Sequence, residues 1–177
     1  MADTIRTLAD LNALFGDTGE APVSPQDIRD LMISQMVYGE IGSGAKASIT
    51  LGTGYQALDF TVAGNIGRGL TIDTVNKRIE GIPVALKAWV TIEVAFRGAA
   101  NTTYDFTVFK NPQGSPEQQN RIDISERILN VAQIGKVTAT AAIQLAAGDT
   151  LQAGVRSNGA AFELIRGVMR VQRIAIE

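Results

Sequence analysis

The chain has 177 residues, 45% of them hydrophobic, and its 16 basic and 18 acidic side chains give a net charge of -2. This length and composition predict one folded domain of ordinary size with a small appendage. The near-zero charge and the lack of a long apolar run argue against nucleic-acid binding, membrane insertion and a signal peptide. Because Cys and His are absent, disulfides, thiolate chemistry and the commonest metal ligand are excluded, and we predict no cofactor and no enzymatic activity.

The first part of the chain, residues 8–34, has the pattern of two short helices. The second helix has a well-defined start, because Ser24 is a good N-cap, Pro25 suits the first helical position and Asp27 completes a capping box. Its apolar side chains form one stripe, made of Ile28, Leu31, Met32 and Met36. The side chains expected to face away from this stripe are Asp27, Arg29 and Asp30. A helix this short is marginal alone, so we predict that the stripe docks on a partner.

The same segment resembles a known class of proteins. The residues that carry the resemblance are 10–15, Asp17, Gly19, 24–31 and Ser34. They are similar to the leading segment of many tailed-bacteriophage virion proteins, in particular fibre and head-fibre proteins. The resemblance implies that residues 1–41 attach the protein to a major capsid protein or another virion protein. The plain alternative is a capped two-turn helix without that role, which satisfies the same physics.

After about Met36 the pattern changes from helical to alternating, with glycines between short apolar runs. The clearest run extends from Val84 to Phe96, where every even position is apolar, which indicates a long strand with one buried face. Other alternating runs cover residues 104–108, 122–128, 137–145 and 151–155. The closing run, 162–176, changes phase, and Gly167 is the predicted site of a bulge that absorbs the slip.

The number of alternating runs, with turn residues between them and no long helix, predicts a mainly β fold of about eight to ten strands. We predict an antiparallel jelly-roll sandwich over residues 42–177, preceded by the helical segment 1–41. The residues Gly42-Ser43-Gly44-Ala45 are interpreted as a flexible joint between the two. Residues 121–129 fit either a strand or a helical turn.

Three pieces of the β region also resemble a known fold class. They are the strand that starts after Gly81, the run Leu-Ala-Ala-Gly-Asp-Thr-Leu at 145–151, and the apolar strand near the terminus. In this order they resemble the C1q and tumour-necrosis-factor class of trimeric jelly rolls, over residues 82–176. The resemblance implies a homotrimer, although Pro83 stands where that class has an aromatic residue.

Several side chains of the β region are candidates for contacts. Trp89, the only tryptophan, lies on the mostly polar side of the longest strand, which suits a contact between subunits or core packing, or else sugar stacking. Four arginines near the C-terminus form either a basic surface or ordinary ion pairs: Arg156, Arg166, Arg170 and Arg173. Three acids are conceivable as calcium ligands or a carboxylate pair, but Asp149 is better explained as a turn cap: Asp105, Asp123 and Asp149.

The sequence as a whole predicts a structural protein of a phage or prophage-like particle, located in the virion. The expected form is a trimeric head fibre, spike or decoration protein that docks through its N-terminal segment. The alternative is a tail-fibre protein that binds a host surface polysaccharide, for which Tyr55 and Tyr104 are the candidate stacking residues.

Overall fold

The computed structural model describes Ala13 and residues 24–34, 37–67, 69–111 and 122–176. In this part of the chain one helix is followed by twelve strands. The elements are α1 (Pro25–Ser34), β1 (Tyr38–Gly42), β2 (Ala47–Thr50), β3 (Gln56–Ala57), β4 (Val62–Ile66), β5 (Thr71–Asp73), β6 (Arg78–Glu80), β7 (Leu86–Gly98), β8 (Thr102–Lys110), β9 (Ile124–Ile128), β10 (Gly135–Leu145), β11 (Leu151–Arg156) and β12 (Ala161–Ile176). Residues 124–128 are therefore a strand and not a helical turn.

The strands form two six-stranded sheets that pack face to face around one core. Sheet A has the order β10-β7-β12-β1-β4, and β2 also pairs with β12. Sheet B has the order β5-β6-β11-β8-β9, and β3 also pairs with β11. All strand pairs are antiparallel. The predicted antiparallel sandwich with a short helix ahead of it is confirmed.

The central strand of sheet A, β7, follows the predicted alternation. Its even-numbered side chains from Leu86 to Phe96 are at most 3% exposed, and the odd-numbered ones face away from the core. Since successive side chains of a strand point to opposite faces, this strand buries one complete face against sheet B. The alternation visible in the sequence therefore defines which side of sheet A is inside.

The predicted phase change in β12 is also confirmed. Phe162 and Leu164 are buried on one parity, and Met169 and Val171 are buried on the other. The register against β7 shifts between Leu164 and Arg166, just before Gly167. A Cβ atom at Gly167 would lie 2.6 Å from a ring carbon of Phe60, so glycine is required there by close packing.

An aromatic cluster fills the core near the end of β7. The ring of Phe96 lies 5.0 to 5.3 Å from three other rings, centroid to centroid, which are Tyr104, Phe106 and Phe162. All four side chains are at most 2% exposed. Clusters of this kind contribute packing energy beyond the area they bury.

Tyr104, predicted as a possible sugar-stacking residue, is instead part of this core. Its side chain is fully buried, its hydroxyl accepts a hydrogen bond from the Ala99 N–H at 2.7 Å, and it donates one to the Ala161 carbonyl at 2.6 Å. Burial raises the pKa of this phenol above its ordinary value, against the hydrogen bond from Ala99. The position of Tyr104 at an inward-facing site of β8 excludes contact with a ligand.

The start of the β region lies earlier than the sequence suggests. β1 begins at Tyr38 and pairs with both β12 and β4, so the predicted boundary after residue 41 falls inside a strand. The Ser43 N–H donates to the Gly167 carbonyl at 2.9 Å, and the Ser43 hydroxyl accepts from the Gly167 N–H at 2.8 Å. The segment interpreted as a flexible joint is therefore hydrogen-bonded to β12, because its glycines allow close approach to the Gly167 bulge.

The N-terminus of α1 has the predicted capping box. The Asp27 N–H donates to the Ser24 hydroxyl at 3.1 Å, and the Ser24 N–H donates to the Asp27 carboxylate at 3.0 Å. Ile28 is 49% exposed, whereas Asp30, predicted to face away from the apolar stripe, is 1% exposed. The Asp30 carboxylate accepts a hydrogen bond from Gln26 at 2.7 Å, which offsets part of the cost of burial.

Three residues of the predicted stripe cannot be compared with the structure. Met36 and the side chains of Leu31 and Met32 lie outside the described residues. No helix in the described part of the chain has the length and hydropathy of a membrane span.

Candidate functional site

The two ends of the sandwich differ: the chain enters from α1 at one end, called the proximal end, and several loops lie at the other, called the distal end. At the proximal end, Tyr38 pairs with Gln172, and the Val37 carbonyl accepts a hydrogen bond from the Arg173 N–H, so the chain enters from α1 here. At the distal end, Phe162 pairs with Gly98. The ends are separated by about 33 Å along β12, at 3.3 Å per residue. The loops at the distal end are 51–55, 99–101, 129–134 and 157–160.

The outward side of β10, β7, β12, β1 and β4 is the candidate assembly face. Trp89 lies on it with 47% of its surface exposed, and it pairs in register with Ala142 on one side and Gln172 on the other. Thr91 and Thr140 share a hydrogen bond of 2.8 Å one pair further along. Small and hydroxyl side chains therefore border the tryptophan on the β10 side, whereas Gln172 and the exposed Lys87 border it elsewhere.

Two shallow grooves cross the same face beside the Gly167 bulge. One has a volume of about 440 Å³ and includes the apolar side chains Ile134, Ile165 and Val168. The other, of about 330 Å³, has Val62 at its margin, and Arg166 lines both. The assembly face therefore combines flat and concave apolar areas with exposed cationic side chains, which are Lys87, Arg97, Lys136 and Arg166.

The main charges on this face neutralise one another. Arg170 donates to Glu40 at 2.6 Å and to Glu93 at 2.5 Å, and Tyr38 donates to Glu40 at 3.0 Å. The hydrogen bond to Glu40, more than that to Glu93, raises the pKa of the Arg170 guanidinium against the effect of burial. Burial, followed by the bond to Glu40, raises the pKa of Tyr38.

The four C-terminal arginines do not form one basic surface. Arg156 pairs with Asp105 near the distal end and Arg170 with two glutamates, as the ion-pair interpretation predicted. Arg173 lies near the proximal end, where its Nε and Nη1 atoms are buried without a hydrogen-bond partner among the described residues. Burial lowers the pKa of this guanidinium. Arg166 remains exposed at the grooves of the assembly face.

The three candidate acids do not meet at one point: Asp105 and Asp123 both act on the Arg156 guanidinium, but Asp149 lies elsewhere. Asp105 lies near the start of β8, whereas Asp149 binds Asn111 and Lys110 at the other end of that strand. Five residues of extended strand, about 17 Å, separate Asp105 from Lys110. No group of three or more acidic side chains in the described ranges could hold a metal ion.

Asp149 is a turn cap, as predicted. Its carboxylate accepts hydrogen bonds from the Ala146 N–H at 2.8 Å and from the Asn111 amide at 2.5 Å, and Lys110 lies at 3.4 Å. Burial alone would raise the pKa of Asp149, but the bonds from Asn111 and Ala146 and the charge of Lys110 hold it below its ordinary value. The turn is completed by Gly148, whose φ of 83° suits glycine.

We expect Asp149→Asn to lower the free energy of unfolding at pH 7 by about 1–3 kcal/mol, the usual range for a lost bond to a charged group. The asparagine amide group would place its N–H donors opposite the donor groups of Ala146, Asn111 and Lys110. Because the pKa of Asp149 is lower in the folded state, its contribution is complete above about pH 4 and is lost as pH falls through the folded value. Urea unfolding at pH 7 and pH 3 checks this: the difference from the wild type should shrink at pH 3. An equal difference at both pH values would contradict the charge-based explanation.

A polar pocket at the distal end, the distal groove, was not predicted from the sequence. It has a volume of about 310 Å³ and is lined by Thr53, Thr103, Asp105, Arg156, Ser157 and Asn158. The Arg156 guanidinium lies 4.5 Å above the centre of the half-buried Tyr55 ring, and the edge of that ring contacts Phe109. Asp105, Arg156 and Tyr55 were candidates individually, but only the pairing of β8 with β11 places Asp105 opposite Arg156.

Comparison with known structures identifies the architecture. The Eiger TNF of S. frugiperda superposes with a TM-score of 0.57 at 12% identity, covering 81% of this chain and 96% of that one. The globular domain of zebrafish complement 1qA superposes with a TM-score of 0.54 at 8% identity, covering 80% and 99%. The chain has the C1q/TNF jelly-roll fold. Murine APRIL superposes on this jelly roll with a TM-score of 0.50 at 15% identity, covering 76% of this chain and 98% of its own.

Comparisons of sequence add nothing to this assignment. No protein-family model matches the chain, and no curated protein matches it. The likeness to the three structures is at the level of the fold, because all identities are 15% or lower. The function therefore has to be inferred from the surfaces of this jelly roll.

Proposed function

We propose that this protein is a non-enzymatic structural or binding domain that acts as a homotrimer, with the assembly face buried between subunits. The observation that carries the proposal is the half-exposed Trp89, which lies on the outward face of sheet A beside Ala142 and Thr91, in a fold shared with C1q and TNF domains. An aromatic of this size buries about 150–250 Å² when covered, and such side chains dominate interface energies. A trimer is also what the sequence resemblance of residues 82–176 implies.

The ion-pair network around Arg170 on the assembly face is compatible with burial. An isolated charge would cost several kcal/mol on leaving water, but Arg170 already binds two carboxylates within the subunit. Glu93 and Glu40 are in turn held in place by Arg170 and, for Glu40, by Tyr38. A second subunit can therefore cover this network without providing a partner for every charge.

The first test is the solution mass of the purified full-length protein by light scattering. A trimer has three times the chain mass of 18.8 kDa. A mass equal to that of one chain over the micromolar range would overturn the proposal. It would leave a subunit that assembles only on a larger lattice, or a monomeric binding module.

We further propose that the trimer is a structural protein of a phage or prophage-like particle, located in the virion. The support is the resemblance of residues 10–34 to the leading segment of fibre and head-fibre proteins. The chain enters at the proximal end, so attachment through residues 1–41 to a major capsid or other virion protein would direct the distal end outward. Within this class we propose a head fibre, spike or decoration protein, with a tail-fibre protein as the alternative.

Ile28→Asp is expected to abolish incorporation of the protein into particles while the jelly roll stays folded. Ile28 is 49% exposed on α1, so the folded subunit loses little when it becomes charged, whereas an apolar docking contact is lost. The measurement is the amount of the protein on purified particles, together with its melting temperature. Val75→Asp, at an 84% exposed site in the turn between β5 and β6, is the matched control and should leave incorporation unchanged. Normal incorporation of Ile28→Asp would contradict the docking role.

A further inference from the structure

We propose that the distal groove binds a neutral saccharide that presents neighbouring hydroxyl groups. The groove lies within one subunit, between the start of β8, the end of β11 and the loops 51–55 and 157–160. It therefore does not depend on the proposed trimer or on the attachment of residues 1–41. Its lining consists of three hydroxyls, one amide, one carboxylate and one guanidinium, from Thr53, Thr103, Ser157, Asn158, Asp105 and Arg156.

The two charged groups of the groove are held in place before any ligand arrives. One oxygen of Asp105 accepts a hydrogen bond from Arg156 Nε at 3.0 Å, and the other accepts one from the Ser125 hydroxyl at 2.6 Å. The guanidinium also stacks 4.5 Å over the Tyr55 ring, which rests edge-on against Phe109. Groups fixed in this way lose little freedom on binding, so more of each contact remains as affinity.

The charge of the groove favours a neutral ligand. The hydrogen bond from Arg156 to Asp105 raises the pKa of the guanidinium despite its partial burial, and Asp123 adds a further attraction. The positive charge is thus already balanced by carboxylates, so an anion would compete with Asp105 and meet the charge of Asp123. A cation would have to compete with Arg156 and Ser125, which already engage the two oxygens of the Asp105 carboxylate. None of the described residues that line the groove is apolar, so an apolar ligand would gain little from entering it.

The donors and acceptors match hydroxyl groups in particular. Arg156 binds Asp105 through Nε, and no other described residue accepts a hydrogen bond from the terminal amino groups of its fork, so they can donate to a ligand oxygen. The Asp105 carboxylate can accept a hydrogen bond from a ligand hydroxyl, and Asn158 and the three hydroxyl side chains can both donate and accept. A pair of neighbouring ring hydroxyls offers this combination. The volume of about 310 Å³ lies at the lower limit of ordinary small-ligand sites, which suits one sugar ring.

The position of the groove would allow several copies of it to bind one polymeric glycan. The groove lies at the end of the sandwich opposite the entry of the chain from α1. A trimer would present three copies at one end, and simultaneous engagement of a polymeric glycan would multiply a weak single-site affinity. This arrangement corresponds to the polysaccharide-binding alternative predicted from the sequence.

The test is a titration of the ¹⁵N-labelled full chain with the methyl glycosides of glucose, galactose and mannose, and with glucuronate. We expect at least one neutral glycoside to shift the backbone amide of Asn158 saturably, with a half-saturation in the millimolar range. Arg156→Lys should raise the half-saturation concentration by about tenfold or more, because lysine lacks the planar guanidinium with its paired donors. Arg97→Lys, the same change at an exposed arginine near the distal end that pairs with Glu163, should not alter it.

Four outcomes would overturn the proposal. The first is that no neutral glycoside produces a saturable shift. The second is that Arg156→Lys binds as the wild type does, and the third is that glucuronate binds more tightly than every neutral glycoside. Asn158→Ala, a change at an exposed turn residue, provides a second variant whose folding is not in question, read through the amide of Ser157. It should also weaken binding, and unchanged binding by this variant is a fourth outcome that would overturn the proposal.

Discussion

Phe96→Ala should lower the free energy of unfolding by about 3–5 kcal/mol, the cost typical of removing a large core aromatic. Phe96 is fully buried at the centre of the four-ring cluster with Tyr104, Phe106 and Phe162. The cavity cannot collapse easily, because the ring also packs against the backbone at Gly135, where an added Cβ would lie 2.6 Å from it. The free-energy cost of the lost packing contacts and the cost of the unfilled cavity therefore add together.

Urea unfolding at one fixed protein concentration measures this loss, since dissociation of an oligomer would otherwise contribute to the apparent stability. The control is Val131→Ala in the loop 129–134, where the side chain is 69% exposed. That change should stay within about 0.5 kcal/mol of the wild type. A loss below about 1 kcal/mol for Phe96→Ala would mean that the aromatic cluster is not packed as described.

Trp89→Arg should convert the trimer into a monomer while leaving the subunit folded. The side chain of Trp89 points away from the core, so its replacement removes little from the packing of a single subunit. In the proposed trimer the same change removes an aromatic anchor from each interface and introduces a charge without a partner there. Light scattering should then report one chain mass of 18.8 kDa in place of three.

Val75→Arg is the matched control for this experiment. Val75 is more exposed than Trp89, at 84% against 47%, but it lies in a turn of sheet B, away from the assembly face. If exposure of an apolar side chain were sufficient for association, both variants would dissociate. A trimer that survives Trp89→Arg, or a monomer produced by Val75→Arg, would contradict the assignment of the assembly face.

The secondary structure could be predicted where one face of an element is buried along its whole length. In β7 every second side chain enters the core, so the alternation in the sequence is complete, and it also shows that Trp89 points outward. The slip at Gly167 was visible for the same reason, as a change in the parity of the buried residues. Short edge strands carry a weaker pattern: all five residues of β4 are exposed.

The interpretation of residues 42–45 as a flexible joint depended on local composition, which does not show pairing partners. Gly42, Ser43 and Gly44 have the composition of a linker, but Ser43 exchanges hydrogen bonds with Gly167, 124 positions later in the chain. Asp30 is a similar case, because a charged residue on a short helix is expected to face water unless a tertiary contact buries it.

The sequence by itself determined the fold class, the inward and outward faces of the long strands, the capped start of α1 and the outward position of Trp89. Each of these depends on local spacing, because side-chain direction repeats every two residues in a strand and every 3.6 in a helix. Only the tertiary structure decided that Asp105 meets Arg156, that Arg170 joins Glu40 to Glu93, and that Tyr104 is buried. These contacts join strands far apart in the chain, and their register is set by the packing of the whole sandwich.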